Sequence, residues 1–321
     1  MTQQSFVSRR EAFWTDFEAS IRRKGKNLKA GAGKFPLGYR EITQDLNTAR
    51  AHGFDPALIE RLNSLVMEGN QILYTQRSWS FRGAALFFLK VFPQAVRSQW
   101  RSLGAAALIF FGLFGFMCIL CVHSPTMVYQ LIGEDVVRDL ESMYNPESYR
   151  FLTPREVSSD ADMFGFYVYN NVSIAFRTFA GGILGGIGSL FILCINGIFL
   201  GAATGHIINV GFGDTFFPFV IGHGSFELIA IVLSAQAGLL LGWRLFVTRG
   251  LSRGASLRIA GKTALPIIAG AALMLILAAA IEAFWSSRHE LPLVLRYSAG
   301  AFGWLLVIMY FLFAGRGGEV S

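Results

Sequence analysis

Residues 166–208 read FYVYNNVSIAFRTFAGGILGGIGSLFILCINGIFLGAATGHII. As one unbroken helix this stretch would run about 64 Å, twice the ~30 Å thickness of a bilayer core. Near its middle stands Gly185-Gly186-Ile187-Gly188, a cluster that breaks helices and permits sharp reversal. The reading therefore places one span near 166–185 and a second near 188–208. Whether the chain crosses here once or twice sets the side on which everything later in the sequence lies.

Four further apolar runs flank this region, at 102–122, 216–242, 263–285 and 296–314. Each approaches or exceeds the ~20 residues a spanning helix needs. Hydrophobic residues make up 53% of the chain and charged residues 15%, which excludes a disordered chain, a coiled coil and a disulfide scaffold. Cys118, Cys121 and Cys194 all fall inside apolar runs and read as small buried hydrophobes.

Charge decides between five and six crossings. Residues 1–101 hold 16 Lys and Arg against 8 acids, a net of +8. Residues 123–165 hold 3 Arg against 8 acids, a net of −5, and residues 243–262 hold 5 basic residues and no acid. Six spans put both basic regions on one side and the acidic loop on the other, as the positive-inside rule requires. The expected fold is an all-α polytopic membrane helix bundle of about six spans with an N-terminal cytoplasmic helical domain. The expected location is the bacterial inner membrane, multi-pass, with both termini cytoplasmic. The net charge of +7 is then explained by membrane sidedness and not by nucleic acid.

The expected parts are a helical domain at 1–78, an interfacial amphipathic segment at 79–101, and a membrane domain at 102–315 with an extracytoplasmic loop at 123–165. Arg9, Arg10 and Glu11 stand where a cleavable signal would need an apolar run. Ser8 and Glu11 have capping-box spacing. Phe13, Phe17 and Ile21 form one apolar stripe, and Tyr39, Ile42, Leu46 and Ala49 a second. Asp55-Pro56 predicts the start of a third helix. Trp79 and Trp100 bracket a basic, aromatic segment suited to the headgroup region. The basic residues of 22–34 offer either a solvated face or contact with anionic lipid. In the acidic loop, Val128, Leu131, Ile132, Val136, Leu140 and Met143 predict an amphipathic helix.

Gly181 with Gly185, Gly182 with Gly186, and Gly197, Gly201 and Gly205 have the spacing that lets helix backbones approach closely. A phosphate loop is the alternative for the first group, but no Lys-Ser/Thr follows. Asn170, Asn171, Arg177 and Asn196 lie in or near spans, where polar groups serve either as interhelical glue or as the lining of a conduit. His223 and Glu227 share one helix face. Their pairing is open to three readings: a buried structural pair, a proton or ion relay, or a zinc site or membrane protease. For a zinc site the sequence offers one His and no evident third ligand. Glu282 and His206, near span ends, read as interfacial. No cofactor is expected.

Taken in order, Tyr39-Arg40, Asp45-Leu46, Ala49-Arg50, Leu62-Asn63, Leu65-Val66, Tyr74, Phe92-Pro93, Val96-Arg97, Asn170-Asn171, Gly181-Gly182, Asn196-Gly197, Gly201, His223-Gly224 and Glu227 make a recognisable set. The chain resembles the stage II sporulation protein M family of integral membrane proteins. Gly222 departs from the Pro common before the family's His. In endospore formers this resemblance implies a membrane machine that remodels peptidoglycan during engulfment. Elsewhere it implies association with MoxR-type AAA ATPases and von Willebrand factor A domain proteins. On this basis the expected role is a non-enzymatic membrane scaffold of an envelope complex, in contact with lipid and open to homo-oligomerisation. The alternative is a transporter or channel-like conduit using Glu227, His223 and Arg177.

Overall fold

The computed structural model describes residues 2–26, 35–75, 81–147 and 157–316. Among them there is no strand, and the chain divides into two compact units, Met1–Ala84 and Ala85–Ser321. Trp79, Arg150, Arg155 and the basic residues of 27–34 lie outside the described residues.

The first unit holds α1 (Gln3–Lys26), α2 (Phe35–Ala51) and α3 (Pro56–Thr75). Their apolar stripes meet in a core of Phe6, Trp14, Phe17, Ile42, Leu46 and Leu62, among others. Trp14 is fully buried and its indole N–H donates to Asp45 at 2.8 Å, with Arg10 Nε donating to the same carboxylate at 2.8 Å. Burial works against the Arg10 charge, but the Asp45 and Glu41 carboxylates outweigh it and hold the guanidinium above its ordinary value. Asp55 Oδ1 accepts from the backbone of Ala57 at 2.7 Å, the cap that the Asp-Pro pair predicts. The Ser8 capping box does not form. Helix α1 starts at Gln3, so Ser8 is internal and its hydroxyl donates to the Ser5 carbonyl.

The second unit opens out of α4 (Phe81–Leu86), a π-helical turn (Phe87–Val91) and α5 (Phe92–Ser98). This segment is docked by specific contacts: Gln94 donates to the Gly315 carbonyl, Arg97 to the Phe311 carbonyl and Tyr310 to the Phe88 carbonyl. Then follow α6 (Trp100–His123), α7 (Thr126–Ile132), α8 (Glu134–Tyr144), α9 (Val157–Ala180), α10 (Ile187–Asn209), α11 (Gly213–Phe246), α12 (Arg253–Ile281) extended by a π-helical turn (Glu282–Ser286), and α13 (Leu293–Phe313).

Five of these, α6, α10, α11, α12 with its extension, and α13, are long and apolar enough to cross a membrane. Helix α9 has 24 residues, enough for about 36 Å, and is more polar because it carries Asn170, Asn171 and Arg177. The chain is a multi-pass membrane helix bundle. The 166–208 stretch forms a hairpin. A 3-10 turn (Gly181–Leu184) and two left-handed glycines, Gly185 and Gly186, reverse the chain, and Ser189 Oγ donates back to the Thr178 carbonyl at 2.6 Å. The first glycine pairs thus serve the turn, where Gly182 lies against Gly238 and Gly186 near Gly242.

Helix α10 packs on α6 through its glycine stripe. A Cβ on Gly197, Gly201 or Gly205 would press on the Phe110, Phe114 or Cys118 carbonyl respectively. Such contacts are how helices associate where burial of apolar surface gives no driving force. Helix α11 passes straight through Gly222. A side chain there would strike Trp285 in α12's extension.

The two ends of the bundle differ in charge. Arg101, Arg244 and Arg249 line a groove of about 830 Å³ at one end, beside Gly185 and Gly186. Helices α7 and α8 sit at the other end, bearing Glu134, Asp135, Asp139 and Glu141. The predicted amphipathic helix is split in two at Gly133, whose φ is +86°. Its apolar face is only partly covered: Val128 and Val137 lie against Cys121 and Ala202, while Leu131 and Met143 are exposed.

Candidate functional site

Helix α11 places His223 and Glu227 one turn apart, His223 Nε2 lying 3.7 Å from Glu227 Oε2. The other nitrogen, Nδ1, is 3.2 Å from the hydroxyl of Ser286 in the π-helical turn of the neighbouring element. That turn also brings Glu282 to the pair. One donor atom from each of His223, Glu227 and Glu282 lies within 4.8 Å of the others. His223 is 4% exposed and Glu282 9%, so this is an interior cluster. Buried Arg296 of α13 donates to the Ser286 carbonyl at 2.9 Å and fixes the turn from the far side.

Glu282 corrects the sequence reading, which put it at an interface. The Glu282 backbone N–H still donates to the Ala278 carbonyl, so Glu282 continues the buried face of Leu275, Ala278 and Ala279. The π-helical turn that follows carries the element to Ser286, and such turns are frequent at functional sites. Where the sequence offered no evident third ligand beside His223 and Glu227, the fold supplies the Glu282 carboxylate. Its sequence signal was present: a lone acid between Ile281 and Phe284-Trp285.

The cluster opens on a cavity of about 330 Å³ lined also by Asn170, Asn171, Tyr144, Ser287 and His289. Asn171 is buried and accepts from the Asn170 amide at 3.1 Å. A second, more apolar cavity of about 400 Å³ shares Glu227 and Glu282 and is walled by Phe114, Phe216 and Trp304. Helix α8 lies at both, with Tyr144 edge-on to Phe216 at 4.9 Å. His206 anchors that helix. It is 2% exposed, and its Nε2 meets Glu141 at 2.8 Å, so it is buried in the protein near the end of its span.

Two expected members are elsewhere. Arg177 is exposed in the last turn of α9, at the hairpin end, and is not brought to Glu227. An Arg at a helix end reaches polar surroundings by extending its side chain outward, which removes the need for a buried anion. Asn196 donates to the Ile192 carbonyl of its own helix at 2.8 Å and does not line the cavity.

Chemically, two carboxylates and an imidazole in apolar surroundings form a site for positive charge, either protons or a cation.

Residues 106–287 match the family described as Stage II sporulation protein M. That range runs from α6 to the end of the π-helical turn and includes His223, Glu227 and Glu282. Residues 4–75, which the sequence reading counted with the same family, match a separate domain of unknown function (DUF8413). No curated protein and no solved structure matches the chain.

Proposed function

The chain belongs to the stage II sporulation protein M family, and on that footing we propose that it is a non-enzymatic assembly protein of a bacterial envelope complex. The observation that carries the reading is the division of the chain: a water-type helical unit with its own aromatic core, and a membrane unit closed by backbone-close glycine seams. The first is suited to receive a soluble partner, and the second to anchor it. The partners that fit are a MoxR-type AAA ATPase and a von Willebrand factor A domain protein. Both termini and the 243–262 loop would then face the cytoplasm, and residues 123–165 the outside, in the inner membrane.

The test is reconstitution. The full chain and a MoxR-type ATPase from the same organism should co-elute in detergent, and removal of residues 1–78 should abolish the complex while the membrane unit stays monodisperse. Absence of any complex with the intact chain overturns the reading. For sidedness, a Cys introduced at Glu147 in a cysteine-free background should react with an impermeant reagent from outside, and one at Gly250 should not. Labelling of both would refute the six-span arrangement.

A conduit is the second reading, favoured by the cavity at Glu227 and Glu282. Glu227→Gln that folds normally but abolishes function in the cell would promote it over the anchor role.

A further inference from the structure

We propose that His223, Glu227 and Glu282 bind one divalent transition-metal ion of the Zn²⁺ class. The inference does not rest on the assembly role, and neither stands or falls with the other.

The geometry comes first. Zinc takes imidazole nitrogen and carboxylate oxygen at about 2.0–2.2 Å, which puts neighbouring donors of a tetrahedron roughly 3.4 Å apart. The 3.7 Å between His223 Nε2 and Glu227 Oε2, and the 4.8 Å limit over all three donors, are within side-chain adjustment of that figure. The three ligands come from two elements, so the site ties α11 to the extension of α12. The cavity of about 330 Å³ leaves room for water or another ligand in a fourth position.

The support around the ligands is of the kind metal sites use. An imidazole ligand is oriented by a hydrogen bond at its other nitrogen. With Nδ1–H donating to Ser286 Oγ, the Nε2 lone pair is directed toward Glu227. Ser286 is held in turn by Arg296 through its carbonyl. Ligand type selects the ion. One imidazole and two carboxylates favour Zn²⁺ and its first-row neighbours over Mg²⁺ and Ca²⁺, which prefer all-oxygen shells and higher coordination numbers. Charge argues the same way. A divalent ion held between the two carboxylates would neutralise both at once.

The test uses the untagged full chain in detergent, stripped with a chelator and dialysed. Titration with Zn²⁺ should show one site per chain, and Co²⁺ in its place should give the intense visible bands of a four-coordinate ion. Glu282→Gln and Glu227→Gln should each weaken Zn²⁺ binding at least about tenfold, the lower end of what even outer partners of a metal site contribute. Glu141→Gln, at the separate His206 contact, should leave it unchanged. If Glu227→Gln does not fold, Glu282→Gln and the Co²⁺ spectrum of the unsubstituted chain still decide. The proposal is overturned if the unsubstituted chain binds no Zn²⁺, if folded Glu282→Gln binds as tightly, or if Co²⁺ gives only the weak bands of the hydrated ion.

Discussion

The core of the α1–α3 unit is built from large side chains, and the core of the α6–α13 unit from small ones. In the first, Phe6, Trp14, Phe17, Phe35 and Phe54 are buried. In the second, alanine outnumbers every other buried apolar residue among those described, while Phe116, Phe166, Phe191 and Phe302 point outward. Water explains the first arrangement, since removing aromatic area from it is the main stabilising term. Lipid explains the second. Tails solvate Phe as well as a core would, so helices gain from close approach, and small residues permit it. The two units should therefore respond oppositely to the size of a substituted side chain.

The largest effect is expected from truncation in the first unit. Trp14→Ala removes a fully buried indole and leaves Asp45 without one donor. It should cost about 3–5 kcal/mol, the range for aromatic deletion in a soluble core. Limited proteolysis of the full chain should then cut within residues 3–75 while the membrane unit stays resistant. Equal loss of resistance in both units would break the comparison.

Enlargement should do in the membrane unit what truncation does in the other. Gly201→Ala adds a Cβ that meets the Phe114 carbonyl and lies 2.9 Å from Phe114 Cα, so α6 and α10 must part. The expected cost is about 1–3 kcal/mol, the usual price of overpacking. Gly112→Ala, on α6 with nothing within 4 Å, is the matched control and should cost nothing. Thermal melting in detergent measures both. A Gly201→Ala protein as stable as the control would show that the seam is loose.

Polar contacts in the membrane unit come next. Gln236 is fully buried on α11, and its amide donates to the Val96 carbonyl at 2.8 Å and to the Gln99 carbonyl at 3.2 Å. Gln236→Leu should cost about 0.6–1.7 kcal/mol, since hydrogen bonds between membrane helices are worth no more than that. A loss as large as that of Trp14→Ala would mean that polar contacts, and not packing, hold α5 to α11.

Much of this contrast was legible in the chain. The 3.6-residue stripes of α2, the Asp55-Pro56 start of α3 and the Gly197-Gly201-Gly205 seam all follow from local pattern and are present, and the hairpin break expected at 185–188 falls slightly earlier, at 181–186. The site was half legible. His223 and Glu227 stand one helical turn apart, so their meeting is a local fact. Glu282 continues the buried α12 stripe of Leu275, Ala278 and Ala279 at helical spacing, but which neighbour that face meets is set by the tertiary fold. The contacts of Arg296 and His206 were missed for a related reason. Their partners, the Ser286 carbonyl and Glu141, are supplied by the tertiary fold.

Arg177 gives the smallest expected effect and the finest probe of where lipid begins. The sequence places an Arg seven residues from Asn170 and invites a buried pairing with Glu227. The fold instead leaves it exposed one turn before the hairpin reversal, at the end of the bundle where Arg101, Arg244 and Arg249 also collect. A guanidinium in that position is paired with headgroups or water and contributes little to the fold. Arg177→Gln should therefore shift stability by no more than about 0.5 kcal/mol, the range for surface substitutions away from special features. A Lys should substitute for it freely, since only outward reach and positive charge are needed. If Arg177→Gln instead destabilised the protein by as much as Gln236→Leu, and Lys failed to restore it, the side chain would be a buried hydrogen-bonding group. The α9 hairpin would then sit deeper in the bundle than its exposed Phe166, Tyr169 and Phe176 imply.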